Sequence, residues 1–364
     1  MTGVATLMEI LDLARWAPSG DNTQPWRFEI QSGVHVVVHG FDTRDDCVYD
    51  LDGHSSQLAL GGMLETIRIA SSGHGLRARV VRRTDAPETQ PDFDVHFVAD
   101  ETVRTSELIG CIQTRSVQRR PMRTRALWEK EKAALEASLG EGYSVRWLER
   151  FESRWRAARL MWLNAKLRLT IPEAYDVHRR IIEWNARFSE DRIPDQALGV
   201  NPLTARLMRF AMASWSRVDF MNRWFGGTIA PRVELDLIPS VACGAHFLIS
   251  STLRCEGIDD YIAGGGAMQR FWLTASSLGL QVQPEMTPLI FARYAATGRQ
   301  FSRVRGAQAA AQNIALRFAE LFGIQAAECA VFMGRIGAGS PARARSLRLP
   351  LEALMGKGGA LQER

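Results

Sequence analysis

A run of small and polar residues near the N-terminus has the composition of a ligand-binding loop. Residues 17–28 read Ala-Pro-Ser-Gly-Asp-Asn-Thr-Gln-Pro-Trp-Arg-Phe. Pro18 favours a helix end before it, because proline pushes the preceding residue out of the α region. The residues after it favour tight turns and can bond nearby amides, namely Ser19, Gly20, Asp21 and Asn22. An apolar-periodic helix, an ordered polar loop and a strand are therefore predicted, and a plain helix-to-strand connection with Trp26 in the core is the alternative.

Arginine recurs in two later segments. Residues 112–121 read Ile-Gln-Thr-Arg-Ser-Val-Gln-Arg-Arg-Pro, and we predict that they lie at the end of a helix starting near Ser106. A second helix is predicted from about Arg125 to Leu139. Residues 329–337 read as a buried strand ending in a glycine turn, and Arg345 and Arg348 follow it. For the first segment, a solvated helix end whose arginines suit the helix dipole is the alternative.

The loop at 17–28 resembles the Pro-Ser-x-x-Asn-x-Gln-Pro-Trp motif of the nitroreductase family of FMN enzymes. In that family the Pro-Ser-x-x-Asn segment lies along the isoalloxazine and ribityl parts of FMN, reaching across from the partner subunit. The resemblance implies flavin contacts for Pro18, Ser19, Gly20 and Asn22.

The segment at 112–121 resembles the Arg-Arg-Ser-Val-Arg stretch that opens ordinary nitroreductases and binds the FMN phosphate and ribityl hydroxyls. Thr114 and Gln118 replace basic residues that are common in the family. The resemblance therefore assigns the phosphate contacts to Arg115, Ser116 and Arg119.

Two segments of the C-terminal third also resemble the family. Residues 281–286 stand where relatives present backbone amides to the flavin N5 and O4 edge; Pro284 matches a proline often found there, and Met286 replaces a common glutamate. The tail resembles an Arg-x-Pro phosphate-binding segment, which implies phosphate contacts from Arg348 and Arg345. A planar guanidinium suits that task because it donates paired hydrogen bonds to phosphate.

Internal similarity indicates a duplication. Residues 265–280 echo residues 61–76 in register, each a helix that begins at Gly-Gly and ends at Gly-Leu before a strand. The Arg115 segment also follows the Pro18 loop instead of preceding it, which resembles the Acg-type subgroup, where one chain mimics the usual homodimer. We predict an α+β nitroreductase-like fold, a central mixed sheet wrapped by helices, with a first half at 1–105 and a second half at 106–364.

The second half contains a helical, tryptophan-rich insertion at about 150–250. In Acg-like proteins a comparable insertion forms a lid, and a packing layer with tryptophan anchors is equally compatible with the sequence. Glu173 and His178 share a predicted helix, but surface pairing explains them, and no metal site is predicted.

Composition excludes several classes. The 364 residues carry a net charge of +5, but the arginines are spread along the chain without an aromatic-interleaved basic stripe, so no nucleic-acid partner is expected. Five widely spaced cysteines predict neither a zinc site nor a disulfide framework. The N-terminus does not read as a secretory signal and no apolar run reaches the length of a bilayer span, so we expect a cytoplasmic protein without a membrane partner.

The resemblance implies an FMN oxidoreductase that takes hydride from NADH or NADPH onto flavin N5. Electrons then pass, in ping-pong fashion, to a small molecule such as a nitro compound or a quinone. Because that chemistry belongs to the cofactor, no catalytic acid or base is predicted. Two alternatives remain: a flavin-binding protein without nicotinamide turnover, and a flavin-dependent oxidase or desaturase. The chain would act as a monomeric pseudo-dimer or a homodimer.

Overall fold

The computed structural model describes residues 3–356 of the chain. Its α-helices are α1 (Val4–Ala14), α2 (His54–Ser72), α3 (Glu129–Ser138), α4 (Phe151–Thr170), α5 (Pro172–Ile181), α6 (Pro202–Ala211), α7 (Trp215–Trp224), α8 (Ile229–Pro231), α9 (Ile238–Val241), α10 (Ile258–Ser277), α11 (Thr287–Thr297), α12 (Ala307–Phe322), α13 (Ile324–Glu328) and α14 (Leu351–Leu354). Its strands are β1 (Trp26–Ser32), β2 (His35–Gly40), β3 (Leu76–Arg82), β4 (Asp92–Ala99), β5 (Tyr143–Leu148), β6 (Ile182–Glu183), β7 (Phe188–Ser189), β8 (Ile193–Pro194), β9 (Ala245–Ser251), β10 (Leu280–Pro284), β11 (Ala330–Ala338) and β12 (Arg345–Ser346). Within residues 3–356, no helix is both long and apolar enough to cross a membrane.

Two four-stranded antiparallel sheets form the framework. Their strand orders are β1-β2-β4-β3 and β10-β11-β9-β5. The α+β class is confirmed, but the strands do not form the single central mixed sheet that we predicted. Each sheet consists of antiparallel pairs among its own four strands. Among the described residues, parallel bridges join other segments to these sheets only at Phe28–Met355 and Val117–Val282.

Helices α2 and α10 pack together between the two sheets. Met63, Leu64 and Ile67 of α2 join the core of the first sheet, and Phe271 and Trp272 of α10 join the core of the second. A helix that is covered on one side by a sheet and on the other by a second helix leaves little of its surface in contact with solvent. This explains why almost every residue of α2 is buried.

The contact between these helices is reciprocal. A Cβ added to Gly61 would lie 2.0 Å from the carbonyl oxygen of Ile262, and one added to Gly265 would lie 2.1 Å from that of Leu58. Only glycine allows the two backbones to approach so closely. The polar pairs follow the same pattern: the Gln269 side-chain amide donates to Thr66 Oγ1 at 2.9 Å, and Arg270 lies 3.0 Å from the Glu65 carboxylate.

Two segments cross between the two sheets. The C-terminal tail places Leu351 and Leu354 in the core of the first sheet. In the other direction, residues 115–123 run along the second sheet, where the Gln118 amide donates to the Val282 carbonyl and the Arg123 amide to the Ala338 carbonyl.

These edge contacts correct two of our helix predictions. The helix predicted from Ser106 is a short 3-10 turn at Glu107–Cys111, and residues 112–121 continue without helix because the sheet edge satisfies part of their backbone. Helix α3 begins at Glu129 instead of near Arg125.

The insertion at 150–250 is mainly helical, as predicted. It comprises α4 to α9, a π-helical turn at Arg232–Leu237 and three two-residue strands. It separates β5 from β9, which are antiparallel neighbours in the second sheet. The insertion is therefore an elaborated connection between two adjacent strands.

Candidate functional site

One cavity of about 430 Å³ is lined by residues of the N-terminal segment, the C-terminal third and the insertion. All ten residues that the sequence suggested as cofactor contacts line it: Pro18, Ser19, Gly20, Asn22, Arg115, Ser116, Arg119, Pro284, Arg345 and Arg348. They come from four segments that are far apart in the chain. Their assignment to a cofactor remains a prediction.

The loop after α1 carries unusual backbone conformations. Asp21, Asn22 and Gln24 have φ values of 52°, 63° and 48°, a left-handed region that non-glycine residues seldom adopt. The Ser19 hydroxyl supports the turn by accepting a hydrogen bond from the Gln24 amide at 3.0 Å. Such strain persists only where surrounding contacts over-determine the backbone, and it concentrates at functional sites.

Those surrounding contacts come from the insertion and the tail. The side-chain amides of Asn22 and Gln24 donate to the Glu190 carbonyl at 3.0 and 2.9 Å. The Leu349 amide donates to Gln24 Oε1 at 2.9 Å. Trp26 is fully buried in the first core, so the same segment anchors the fold and lines the cavity.

Three arginines form a cationic cluster at one end of the cavity: Arg115, Arg345 and Arg348. The Arg348 guanidinium donates to the Ala17 carbonyl at 3.0 and 2.8 Å. Arg115 donates to the Trp16 carbonyl at 3.2 Å and lies over the Trp272 ring at 4.4 Å, while Arg345 lies over the Trp16 ring at 5.2 Å. Among the described residues, no carboxylate forms an ion pair with any of the three.

The electrostatics of this cluster favour an anion. Burial and the nearby Arg345 charge lower the pKa of Arg115 to about 9. Burial, together with the charges of Arg115, Arg345 and Arg15, lowers the pKa of Arg348 well below its usual range. Burial also lowers the pKa of Arg345. Because these charges repel one another away from bulk water, an anionic ligand would stabilise all three.

Arg119 lies apart from the cationic cluster. Burial lowers its pKa to about 10, and the charge of Asp21 opposes that shift. Its guanidinium donates to the Ala197 carbonyl in the insertion at 3.3 Å. Our prediction grouped Arg119 with Arg115 for phosphate binding, and that assignment stays a prediction; both residues line the cavity, and Asp21 acts electrostatically on Arg119.

A second buried charged group lies beside Pro284. Glu285 accepts from His246 at 2.6 Å and from Arg335 at 3.3 Å. The other ring nitrogen of His246 lies 2.8 Å from the Ser240 carbonyl. Because both ring nitrogens face acceptors, the imidazole must carry two protons. Burial disfavours that charge, but the Glu285 carboxylate raises the pKa of His246 well above its usual value.

The insertion supplies a polar network to the cavity wall. Arg168 of α4 lies 3.0 Å from the Asp236 carboxylate, and the Tyr49 hydroxyl lies 3.0 Å from His178 Nε2. Burial and the Arg168 charge lower the pKa of His178 to about 3, so this imidazole is neutral. His178 is therefore a half-buried residue of the cavity wall, and Glu173 instead accepts from Ser302 and Arg303, which corrects our expectation of surface pairing between the two.

The rest of the insertion's wall is apolar. It contains Met161, Ile182, Met208, Met212 and Leu235. The insertion covers part of the cavity through these flexible side chains and not through tryptophan: Trp155 and Trp224 are exposed on the outer surface. Methionine adapts to varied shapes, which suits a wall that contacts more than one ligand.

Sequence reasoning missed three wall residues with strong interactions, Glu285, Arg335 and Asp236, and also the buried His246 that bonds to Glu285. A signal existed for two of them, because His246 and Arg335 are polar positions in the otherwise apolar strands β9 and β11. Buried polar residues in such strands require partners. No local pattern identifies Glu285 or Asp236, since their partners are distant in sequence.

The comparisons with known proteins give weak similarities. No protein family model matches the chain. The uncharacterized protein MT1398 of Mycobacterium tuberculosis (strain CDC 1551 / Oshkosh) is 24% identical over 284 residues, which cover 76% of this chain and 38% of that protein. The chain thus spans well under half of its relative.

Two solved structures are also similar to this chain. A nitroreductase-like family protein from Bacillus cereus is 12% identical with a TM-score of 0.35, covering 69% of this chain and 96% of its own. The FMN-dependent nitroreductase NfnB from Mycobacterium smegmatis, solved in complex with NADPH, is 14% identical with a TM-score of 0.36. That match covers 68% of this chain and 96% of the NfnB chain.

Proposed function

We propose that this protein is an FMN-dependent oxidoreductase of the nitroreductase type. NADH or NADPH would be the transient reductant, and a small molecule such as a nitro compound or a quinone the acceptor. The observation that carries the proposal is the convergence of four separated motif segments on one cavity, where three arginines have no acidic partner within residues 3–356.

The cavity wall fits FMN in charge and in hydrogen-bonding capacity. The cationic cluster, with Ser116 beside it, would hold the phosphate. Seven wall residues each have a buried atom without a hydrogen-bond partner among the described residues: Asn22 Oδ1, Arg115 Nε, Arg168 Nε, Asp236 Oδ2, Trp272 Nε1, Gln283 Oε1 and Arg335 Nε. Because buried polar atoms are normally paired, these atoms are suited to a ligand that offers both donors and acceptors.

When bound, FMN supplies the hydride and electron transfer. The protein's residues would position it and provide fixed charge. The strained loop from Ser19 to Gln24 would orient the ligand, and Glu285 with His246 would hold Arg335 as an immobile cation in the wall. Preorganised charge of this kind stabilises developing negative charge without reorganisation.

We also propose that the chain is a duplicated unit that mimics a homodimer. The series α1-β1-β2-α2-β3-β4 has a counterpart in α3-β5-β9-α10-β10-β11, and the two sheets have corresponding strand orders. The reciprocal Gly61 and Gly265 contacts agree with the register of the internal repeat. The insertion and helices α11 to α13 would be additions to the second unit.

A second candidate function is FMN binding without nicotinamide turnover. The observation that favours it is the roof formed by the insertion, which ties to the motif loop through the Glu190 carbonyl. A closed roof would restrict access for a dinucleotide.

The absorbance spectrum of the purified protein, before and after anaerobic NADPH, tests these candidates. A yellow protein that bleaches would support the oxidoreductase. A yellow protein that stays oxidised with both nicotinamides would favour the second candidate. A colourless protein that cannot be reconstituted with FMN would refute both. Arg348→Ala should lose FMN, whereas Arg77→Ala, which removes a surface pair with Asp100, should retain it.

A further inference from the structure

The outer face of α6 and α7 exposes an unusual number of large apolar side chains. Its members, with their exposed fractions, are Leu203 (66%), Leu207 (49%), Phe210 (60%), Phe220 (53%), Trp224 (74%), Phe225 (72%) and Ile229 (54%). We call these seven residues the α6–α7 surface. Contiguous exposed apolar groups of this kind mark interaction sites on soluble proteins, whereas scattered single ones do not.

The exposure follows from helix periodicity. Leu203, Leu207 and Phe210 recur at spacings of four and three and share one face of α6. Met208 lies on the opposite side and lines the cavity. Helix α6 therefore has two apolar faces, and the body of the protein covers one of them.

Contacts link several residues of the surface across α6 and α7. The Arg217 guanidinium lies over the Phe210 ring at 4.7 Å and links α7 to α6. The rings of Phe220 and Phe225 are 5.6 Å apart, and Trp224 follows Phe220 by one helical turn. On the inner side of the α6–α7 pair, the Tyr175 hydroxyl donates to the Met212 carbonyl and the Asn222 side-chain amide donates to the Leu169 carbonyl. These bonds attach the two helices to the body of the protein.

The surface is strongly basic. Between residues 202 and 229 the chain has four arginines and one acidic residue, a net charge of +3. The acid, Asp219, pairs with Arg223 at 2.9 Å, which leaves Arg206, Arg209 and Arg217 without an acidic partner among the described residues. Each of those three is exposed.

This charge argues against a second copy of the chain as the occupant. A two-fold contact places the same patch on both sides, so it would bring the arginines of one copy against those of the other. The combination of tryptophan, phenylalanine and leucine with arginine is instead typical of helices that lie in the interface of a bilayer with anionic lipids.

We propose that the α6–α7 surface docks the protein on an anionic membrane surface. The apolar side chains would enter the boundary between headgroups and acyl chains, and Arg206, Arg209 and Arg217 would contact lipid phosphates. Our prediction of no membrane partner rested on the lack of a spanning segment, and interfacial docking requires none. The proposal does not depend on flavin binding.

Vesicle flotation tests the proposal on the full chain. We expect the protein to float with vesicles of phosphatidylcholine and phosphatidylglycerol. Its affinity should fall at least about tenfold with phosphatidylcholine alone or in high salt, because the basic residues would lose their lipid counter-charges. The variant Phe210→Ser/Trp224→Ser/Phe225→Ser should weaken binding at least about tenfold, whereas the control Leu316→Ser/Ile324→Ser, two exposed apolar residues elsewhere, should not.

Two further readouts identify the occupant. Vesicles with brominated acyl chains should quench tryptophan fluorescence in the wild type, and Trp224→Phe should lose most of that quenching. Absence of flotation with anionic vesicles would overturn the proposal. So would sedimentation that shows a dimer dissociated by the triple serine variant, or flotation unchanged in that variant while it remains folded by circular dichroism.

Discussion

Two groups of buried charge meet at the cavity, and they are built differently. In the cationic cluster, Arg115 and Arg348 are buried and lack any acidic partner among the described residues. Around Glu285, by contrast, both cations bond to a carboxylate. The difference separates two tasks: an internally paired group holds the wall together, whereas an unpaired group of one sign is completed by a ligand.

Physical chemistry gives the two groups opposite expected behaviour. Removing one member of a buried ion pair leaves an uncompensated charge, which is strongly destabilising. Removing one member of a like-charged group relieves repulsion in the free protein and weakens anion binding. Variants in the ion-paired group around Glu285 should therefore alter the free energy of unfolding, and variants in the cationic cluster should alter ligand affinity.

The largest effect is expected from Glu285→Ala. Arg335 would keep its buried charge without the carboxylate, and His246 would lose the interaction that keeps it protonated, so the free energy of unfolding should fall by about 3–5 kcal/mol. Urea denaturation measures it. Glu129→Ala removes a highly exposed carboxylate that pairs with Lys132 and should change stability by less than about 1 kcal/mol. A similar small loss at Glu285 would contradict its structural role.

Gly61→Ala is expected to have the second-largest effect on stability. The new Cβ would overlap the Ile262 backbone between α2 and α10, and overpacking of this kind costs about 1–3 kcal/mol. Gly62→Ala is a matched control, because its nearest contact would be the flexible end of Met268 at 3.4 Å. Equal thermal unfolding midpoints for the two variants would show that the close helix contact does not hold the halves together.

Arg345→Met should separate binding from stability. The Arg345 guanidinium makes no hydrogen bond or ion pair among the described residues, so the free protein should unfold within about 1 kcal/mol of the wild type. Loss of a charge-assisted contact should weaken FMN binding about 10- to 100-fold. Fluorescence titration of FMN measures it, and unchanged affinity would remove Arg345 from the proposed phosphate site.

The smallest effect concerns pH. Burial raises the pKa of Asp21 from 3.8 to about 6, against the charges of Arg119, Arg180 and Arg168. A raised carboxyl pKa means that the folded state holds the proton more tightly, so this contribution to stability is lost as pH rises from about 4 to about 6. Asp21→Asn should remove that loss, seen as a flatter dependence of the thermal midpoint on pH.

Asp94 supplies a control of opposite sign. Arg83 lowers the pKa of its carboxyl below the usual range, so its contribution is present above about pH 4 and is lost on acidification. Asp94→Asn should therefore lower the midpoint near neutral pH and leave it less changed in acid. The same slope in the two variants would contradict the assignment of Asp21.

The sequence identified much of this site because its signals are local. A proline after an amphipathic helix, followed by turn-forming residues, defined the loop around Ser19, and its resemblance to a known motif linked it to Arg115 and Arg348. The same reasoning also predicted a helix that starts near Ser106 and ends within residues 112–121, whereas the chain forms only a short 3-10 turn at Glu107–Cys111 and then bonds to the edge of the second sheet.

The buried group around Glu285 shows the limit most clearly. His246, Glu285 and Arg335 lie on three different segments, and only the antiparallel pairing of β9 and β11 brings His246 opposite Arg335. Such pairing is set by the whole sheet and not by neighbours in sequence. A polar residue within an apolar strand signals that a partner exists but does not identify it.

The tail that carries Arg345 and Arg348 has a consequence for biosynthesis. Leu351 and Leu354 complete the core of the first sheet, although the ribosome makes them long after its strands. The N-terminal half must therefore wait, with part of its core uncovered, until the rest has been translated. Assembly of the cationic cluster would then be among the last events of folding. A chain that binds the anion must therefore have been synthesised at least as far as this tail.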